Sequence, residues 1–340
     1  MKRITIKDVA RVAGVSTAAI SYALNGKESK VSTGTLMKIQ EAVALLNYIP
    51  DFSARSLVNK KSYLIGVVIP ETEEHNQMIL ENPFYSEIVS AIESELRKHN
   101  YHLILTGTDK GKGYFDLSMQ RNLDGAIIMG IYHESFYEEL KKVNIPIILI
   151  DSYINDTYFK KIGIDDRCGG GLATRHLIEN GHTQIAIVTG EIKRNGVVEE
   201  RFLGYQDALA EANLSYSLEY VFEESTSYEH GVLAGKRIAS NHPEITGVFA
   251  TADIVAFGII SGLNECGKRV PDDISVIGFD DITMSRMFIP PLTTIHQDIK
   301  AKGIQAVNCL IQAIQCIASN DHEKITLPLS LMERQSVKKI

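Results

Sequence analysis

Thr5-Ile6-Lys7-Asp8-Val9-Ala10-Arg11-Val12-Ala13-Gly14-Val15-Ser16-Thr17-Ala18-Ala19-Ile20-Ser21-Tyr22-Ala23-Leu24-Asn25-Gly26 holds two helix starts and two helix stops in one short run. Thr5 with Asp8 three residues on reads as a capping box, and Val9, Ala10, Val12 and Ala13 make an apolar stripe that Gly14 ends. Ser16 is the cap of a second helix with Ile20, Ala23 and Leu24 on its apolar face, stopping at Asn25-Gly26. Two short helices joined by a glycine-containing turn form a helix-turn-helix, whose second member can enter a major groove. Thr17, Ala18, Ser21 and Tyr22 fall on the outward side of that helix, where side chains reach base edges, and Tyr22 has no place in the apolar pattern.

Beyond Gly26, a third helix is expected from Ser32 or Thr33 to about Asn47, with Leu36, Ile39, Val43 and Leu46 closing a small core. Pro50-Asp51 then breaks the chain, and residues 52–58 have the composition of a short helix with Asp51 as cap. It is too short to be stable alone and is expected to fold when its own copy in a dimer and DNA hold it. Leu57 either wedges between base steps in a minor groove or tucks against the rest of the chain. Charge separates this head from the rest of the chain. Residues 1–61 carry ten Lys or Arg against four acids, a net of +6, whereas the remainder carries 25 against 38, a net of −13. A basic head on an acidic body suits a polyanionic partner for the head alone.

With 340 residues, 44% hydrophobic and 23% charged, the chain has room for two or three packed domains, which excludes a disordered or fibrous protein. No apolar stretch approaches the roughly 18 to 20 residues of a membrane helix, and no apolar signal core precedes Asp8, so a soluble cytoplasmic protein is expected. Cys168, Cys266, Cys309 and Cys316 show no CxxC spacing and read as reduced, buried thiols, without disulfide or structural metal. From Tyr63 on, strand and helix alternate. Strands are expected at 64–69, 102–105, 125–129 and 145–150, with helices near 86–99, 116–122 and 136–143. A second set has strands at 162–164, 184–189, 247–250 and 275–279, with helices over 172–180, 201–212, 231–240 and 255–266. The fold class is therefore α/β: an all-α head and hinge helix, then two doubly wound parallel lobes with ligand-binding loops at the carboxyl ends of their strands. Those loops hold residues 82–85, 194–201, 252–253 and 280–281. No GxxxxGK[ST], HExxH or GxSxG occurs, Gly169-Gly170-Gly171 suits close packing better than phosphate binding, and acids such as Asp280 bind sugar hydroxyls as readily as they catalyse, so no enzyme is expected.

In their joint order these residues resemble the lac repressor (LacI/GalR) family of bacterial transcription regulators along nearly the whole chain. Thr5 to Ala10, Ala13 to Ser16 and Leu24-Asn25 look like its DNA-binding head, and Tyr48-Ile49-Pro50 with Ala54-Arg55-Ser56-Leu57 look like its hinge helix. Asn82-Pro83-Phe84-Tyr85, Gly181-His182, Arg201 with Gly204-Tyr205, Val270-Pro271, Ile277 to Asp281 and Pro291 to Ile295 look like its effector-binding core. The resemblance implies a head over 1–49, a hinge over 50–62, and an effector-binding and dimerisation domain over 63–340. Its first lobe would span about 63–161 plus 295–325, and its second about 162–294 plus 326–340. It further implies a homodimer on a near-palindromic operator, with Leu57 of each chain prying open the central step, and a small molecule between the lobes that alters DNA affinity. By position, Thr17, Ala18 and Tyr22 fall on the base-reading positions and Leu57 on the minor-groove wedge, with Thr5, Ser16, Ser21, Asn25, Ala54 and Arg55 as further DNA-binding candidates. Phe84 and Tyr85 fall on a stacking wall, Arg201 and Asp280 on the polar anchors and Gln297 on the floor, with Arg194 and Thr226 as further effector-binding candidates.

Three departures matter. Tyr22 stands where many members have Arg, and a phenol cannot make the bidentate guanine contact. Ala252 replaces a frequent Asn or Ser, and Thr226 a frequent aromatic, for which Tyr228 is a substitute ring. Residues 71–80 are longer and more polar than usual. Aromatic walls with Arg and Asp suit a pyranose, and a sugar or oligosaccharide is the favoured effector over a purine or nucleoside, with no further cofactor. The alternatives are a cytoplasmic sugar- or nucleoside-binding protein whose head has lost DNA recognition, and a regulator governed by a protein corepressor.

Overall fold

The carboxylate of Asp8 accepts the Thr5 backbone N–H at 3.0 Å and the Thr5 hydroxyl at 2.7 Å, which fixes the start of helix α1 (Ile6–Ala13). Gly14 ends it at φ +64°, a left-handed conformation that costs a glycine little. Ser16 then accepts the Ala19 N–H at 3.2 Å and opens α2 (Thr17–Leu24), and Ser32 accepts the Thr35 N–H at 3.2 Å and opens α3 (Thr33–Leu45). Val9, Ala10, Ala13, Ile20, Ile39, Ala42 and Tyr48 are buried together at the centre of the three helices. Val12, expected in the stripe, is exposed, because it lies about 100° around the helix from the Val9–Ala13 face.

The computed structural model describes residues 4–24, 28–48, 61–70, 80–108, 123–130, 134–315 and 324–340. They form two units, the head up to Tyr63 and the body from Leu64. Asn25, Ala54, Arg55, Leu57, the hinge helix, Cys316 and the helix expected over 116–122 lie outside the described residues, as does most of the 71–80 segment.

In the body, runs of Val, Ile and Leu buried on both faces make two parallel sheets. The first contains β1 (Leu64–Pro70), β2 (His102–Thr108), β3 (Gly125–Met129), β4 (Ile147–Ile150) and β5 (Lys160–Gly163) in the order β2-β1-β3-β4-β5. The second repeats that order with β6 (Ile185–Gly190), β7 (Val221–Glu224), β8 (Gly247–Ala250), β9 (Ser275–Asp280) and β10 (Thr293–Gln297) as β7-β6-β8-β9-β10. The chain end then adds β11 (Ile325–Thr326) to the first sheet and β12 (Leu329–Met332) to the second, where β12 is antiparallel to β10. The helices are α4 (Pro83–Lys98), α5 (Glu134–Leu140), α6 (Asp166–Glu179), α7 (Val197–Glu211), α8 (Tyr228–Asn241), α9 (Asp253–Glu265) and α10 (Ile299–Ile314). No described helix is long and apolar enough to cross a membrane.

Several expectations shift. Ile162 and Gly163 do not open the second lobe: β5 pairs with β4 and β11 inside the first sheet. Ile295 to Gln297, expected in the first lobe, pair with β9 and β12 in the second. Helix α4 starts at Pro83 rather than near 86, because Asn82 accepts the Phe84 N–H at 3.0 Å and Pro83 has no N–H to satisfy. Of the described cysteines only Cys309 is buried; Cys168 faces solvent in the first turn of α6, and Cys266 caps the exposed end of α9.

Candidate functional site

Helix α2 presents one face to the head core through Ile20, and on the other side Thr17, Ala18 and Tyr22 are exposed. The Tyr22 ring is 38% exposed, with the Lys30 ammonium 5.3 Å from its centroid. A cation at that distance attracts the ring face and puts a positive charge beside the phenol. Thr5 and Ser16 are exposed at the two helix starts, and Ser21 is half-buried. Small outward side chains and a single aromatic on an uncharged helix, within a head of net charge +6, make α2 a surface suited to a groove in nucleic acid.

In the body, the carboxyl ends of β4, β9 and β10 deliver Asp151, Asp280 and Gln297 to one place, and the starts of α6, α7 and α10 bring Asp166, Arg201 and Lys302. Arg201 is buried on α7. Its Nε donates to Asp166 at 2.8 Å, its Nη1 donates to the Thr251 carbonyl at 2.6 Å and lies 3.4 Å from Asp280 Oδ1, and its plane stacks 3.6 Å from the Phe279 ring centroid. Gln297 Nε2 donates to the same Asp280 oxygen at 2.7 Å. Lys302 donates to Gln297 Oε1 at 2.6 Å and to both Asp151 oxygens at 2.8 and 2.9 Å. The Tyr153 hydroxyl donates to the second Asp166 oxygen at 2.5 Å. The result is one continuous polar chain from the first lobe to the second.

Burial pushes the Asp280 carboxyl up to about 6, against the pull of Arg201 and Gln297, and it raises Asp151 against the pull of Lys302. Burial with the adjacent Asp166 also raises the Tyr153 hydroxyl, so it serves as a donor. Asp280 adopts φ +113°, a backbone conformation rare for a side-chain-bearing residue and characteristic of functional sites. Beneath it, fully buried Asp253 accepts from the Ile282 N–H, the Ser285 hydroxyl and the Thr294 hydroxyl at 3.0, 2.6 and 2.6 Å, which anchors the loop after β9.

Phe84 and Tyr85 are half-buried at the start of α4, edge to face at 5.5 Å, and Lys302 Nζ lies 5.6 Å from the Phe84 ring centroid. Of the seven residues expected around a ligand, Phe84, Arg201, Asp280 and Gln297 thus meet in one network, with Tyr85 beside Phe84. Arg194 is exposed on the turn before α7 and stands apart from it. Thr226 is half-buried next to the Ser225–Ser227 hydroxyl pair, and Tyr228, the substitute ring, is 38% exposed at the start of α8. Asp151, Tyr153, Asp166 and Lys302 were not expected. Lys302 had a signal: it interrupts the stripe Ile299, Gly303, Ala306, Val307 and Leu310, where a charge needs a buried partner. Among the described residues no hydrogen bond reaches Arg201 Nη2 or Asp280 Oδ2, which leaves one donor and one acceptor of this pair to a ligand.

The chain matches the description "Bacterial regulatory proteins, lacI family" over residues 5–51 and "Periplasmic binding protein-like domain" over residues 174–337. It is 36% identical over 347 residues to the HTH-type transcriptional repressor PurR of Vibrio campbellii, covering 99% of both chains. Among solved structures, the lac repressor dimer bound to operator and the anti-inducer ONPF is 28% identical with a TM-score of 0.84, over 99% of this chain and 100% of that one. A LacI family regulator from Enterococcus faecium with bound ribose is 31% identical with a TM-score of 0.72, over 82% of this chain and 99% of that one.

Proposed function

Because the chain belongs to the lacI family of bacterial regulatory proteins, we propose that it is a cytoplasmic homodimer that represses transcription from a near-palindromic operator, switched by a sugar or oligosaccharide between its lobes. The coarser function, transcriptional repression rather than catalysis, is that of its relatives. The observation that carries the finer reading is α2, locked into the head core by Ile20 with Thr17, Ala18 and Tyr22 turned outward. Thr5, Ser16, Ser21 and Asn25 would hold phosphates and flank those base-reading side chains, and Ala54, Arg55 and Leu57 would sit in the central minor groove. Exposed Met284, Met287 and Ile289, in the loop after β9, supply an apolar surface for a second copy. The sugar reading rests on the Arg201–Asp280 pair beside the Phe84–Tyr85 rings, and the ribose-bound relative supports it. Coupling of ligand to DNA affinity in such a switch is worth about 1 to 3 kcal/mol.

Selection of duplexes from a random pool by the full-length protein, repeated with Leu57→Ala, tests the DNA reading. A palindrome of about 14 to 20 base pairs is expected, with its enrichment lost in the variant. Salt-sensitive binding without enrichment would overturn it in favour of a sugar-binding protein with an inactive head. Thermal protection by sugars tests the effector: protection by purine nucleosides alone would replace the sugar, and no protection by either would favour a protein corepressor.

A further inference from the structure

We infer that Lys302 is a positioning residue that sets the hydrogen-bond polarity of the interlobe site and restricts it to uncharged, hydroxyl-donating sugars. This rests on the sugar reading above. An ammonium has protons and no lone pair, so Lys302 Nζ, 2.6 Å from Gln297, must face the amide oxygen of that side chain. The amide nitrogen is thereby turned toward Asp280 Oδ1 at 2.7 Å, where it can only donate. With Arg201 Nη1 on the same oxygen at 3.4 Å, the carboxylate is held with Oδ2 as its open acceptor. A ligand group that meets Oδ2 must bring a proton.

Lys302 is well placed for this. Its side chain is fully buried, Asp151 holds its ammonium from the first lobe, and the Phe84 ring lies against it. Because Gln297 and Asp280 are on the second sheet, the relay also ties the two lobes together through a donor that cannot reverse. Charge adds a second filter. Asp166 and Asp280 are buried and Asp151 is half-buried within this region, against Arg201 and Lys302, while Asp253, held up to about 8, keeps its proton near neutral pH and adds no charge. Three acids against two bases leave a net negative charge, which disfavours a phosphorylated or carboxylated ligand even with Arg201 at hand.

The test uses the full chain and calorimetric titration with D-ribose, D-glucose and D-galactose, each beside its phosphate ester and its monodeoxy analogues. Wild type is expected to bind one neutral sugar at least tenfold more tightly than its phosphate ester, and to lose at least tenfold for one monodeoxy analogue. In Lys302→Met the parent sugar should lose at least tenfold, while the affinity for that deoxy analogue stays within about twofold, so that discrimination collapses. Gln297→Glu keeps the shape and leaves Lys302 in place but removes the donor to Asp280; it should erase the same discrimination and guards against a packing failure in Lys302→Met. Unchanged discrimination in both variants, or a phosphate ester bound as tightly as its parent, overturns the role of Lys302 and leaves the sugar reading standing. Binding of adenosine or guanosine with no sugar bound overturns the sugar reading itself.

Discussion

Tyr22 is exposed on a helix whose opposite face is fixed, so a substitution there changes what the helix reads without disturbing how the head folds. A phenol offers one donor or acceptor, whereas a guanidinium offers a planar fork that grips guanine at two atoms, a difference of about 1 to 3 kcal/mol in discrimination. Tyr22→Arg should therefore move the selected half-site toward guanine at one position while leaving the operator symmetry intact. Repeating the duplex selection checks it, and an unchanged half-site would place Tyr22 outside the base-reading set. Asp8 acts at the other extreme, on folding rather than reading. Its carboxylate satisfies the Thr5 N–H and hydroxyl at the first turn, and Asp8→Ala should cost the head about 1 kcal/mol. A melt of the variant followed by circular dichroism checks this, with the body transition as internal reference.

At the scale of elements, the α6–α7 pair shows how packing sets a site. A Cβ on Gly170 would run into the Arg201 carbonyl oxygen, and one on Gly204 into that of Arg167, so the two helices approach to backbone contact. Arg201 reaches Asp166 and Asp280 because α7 lies that close. Gly170→Ala should cost about 1 to 3 kcal/mol by overpacking and, by lifting α7, weaken effector binding as well. Calorimetric unfolding with and without ligand measures both, and a stable variant with unaltered affinity would break the link between this contact and the site. These helices were legible in the sequence through periodicity, and Gly169-Gly170-Gly171 announced close packing. Their boundaries were less so: Asn82-Pro83 reads as a loop until the Asn82 cap and the proline at the first helical position are seen together. The lobe boundary was hidden for another reason. Ile162-Gly163 and Ile295 look like any buried strand, and only ladder pairing decides to which sheet each belongs. At the candidate site, Arg201 and Asp280 were expected from their loops and from resemblance and Gln297 from resemblance alone, while Lys302 and Asp151 were not, because their meaning lies in each other and they stand 151 residues apart.

The whole molecule joins a basic head to an acidic body that carries the apolar residues Met287, 66% exposed, and Ile289, 85% exposed. If this loop meets a second copy, Ile289→Asp should shift the protein toward monomer in sedimentation analysis and weaken operator binding much more than binding of a single half-site; a dimer of wild-type strength would move the interface elsewhere. The body also has a pH dependence of its own. Burial holds Asp253 up to about 8 and Asp280 up to about 6, against an ordinary value of 3.8. The folded state thus keeps protons that the unfolded chain has already released, and stability from these groups falls as pH rises from about 4 through the folded values. His176 and His182 act in the opposite sense, since burial lowers both below 6.5 and the unfolded chain holds the extra proton on the acid side of that value. Well above pH 6.5 the histidines are neutral in both states and Asp280 is ionised, which leaves Asp253, with Asp151 raised in the same direction, as the acids still out of step. Scanning calorimetry between about pH 7 and 8 should therefore show a falling Tm. Asp253→Asn, which preserves an acceptor for the Ile282 N–H and the Ser285 hydroxyl, should flatten that slope; an equal slope in the variant would mean that Asp253 is ionised throughout the window, held so by its three hydrogen bonds.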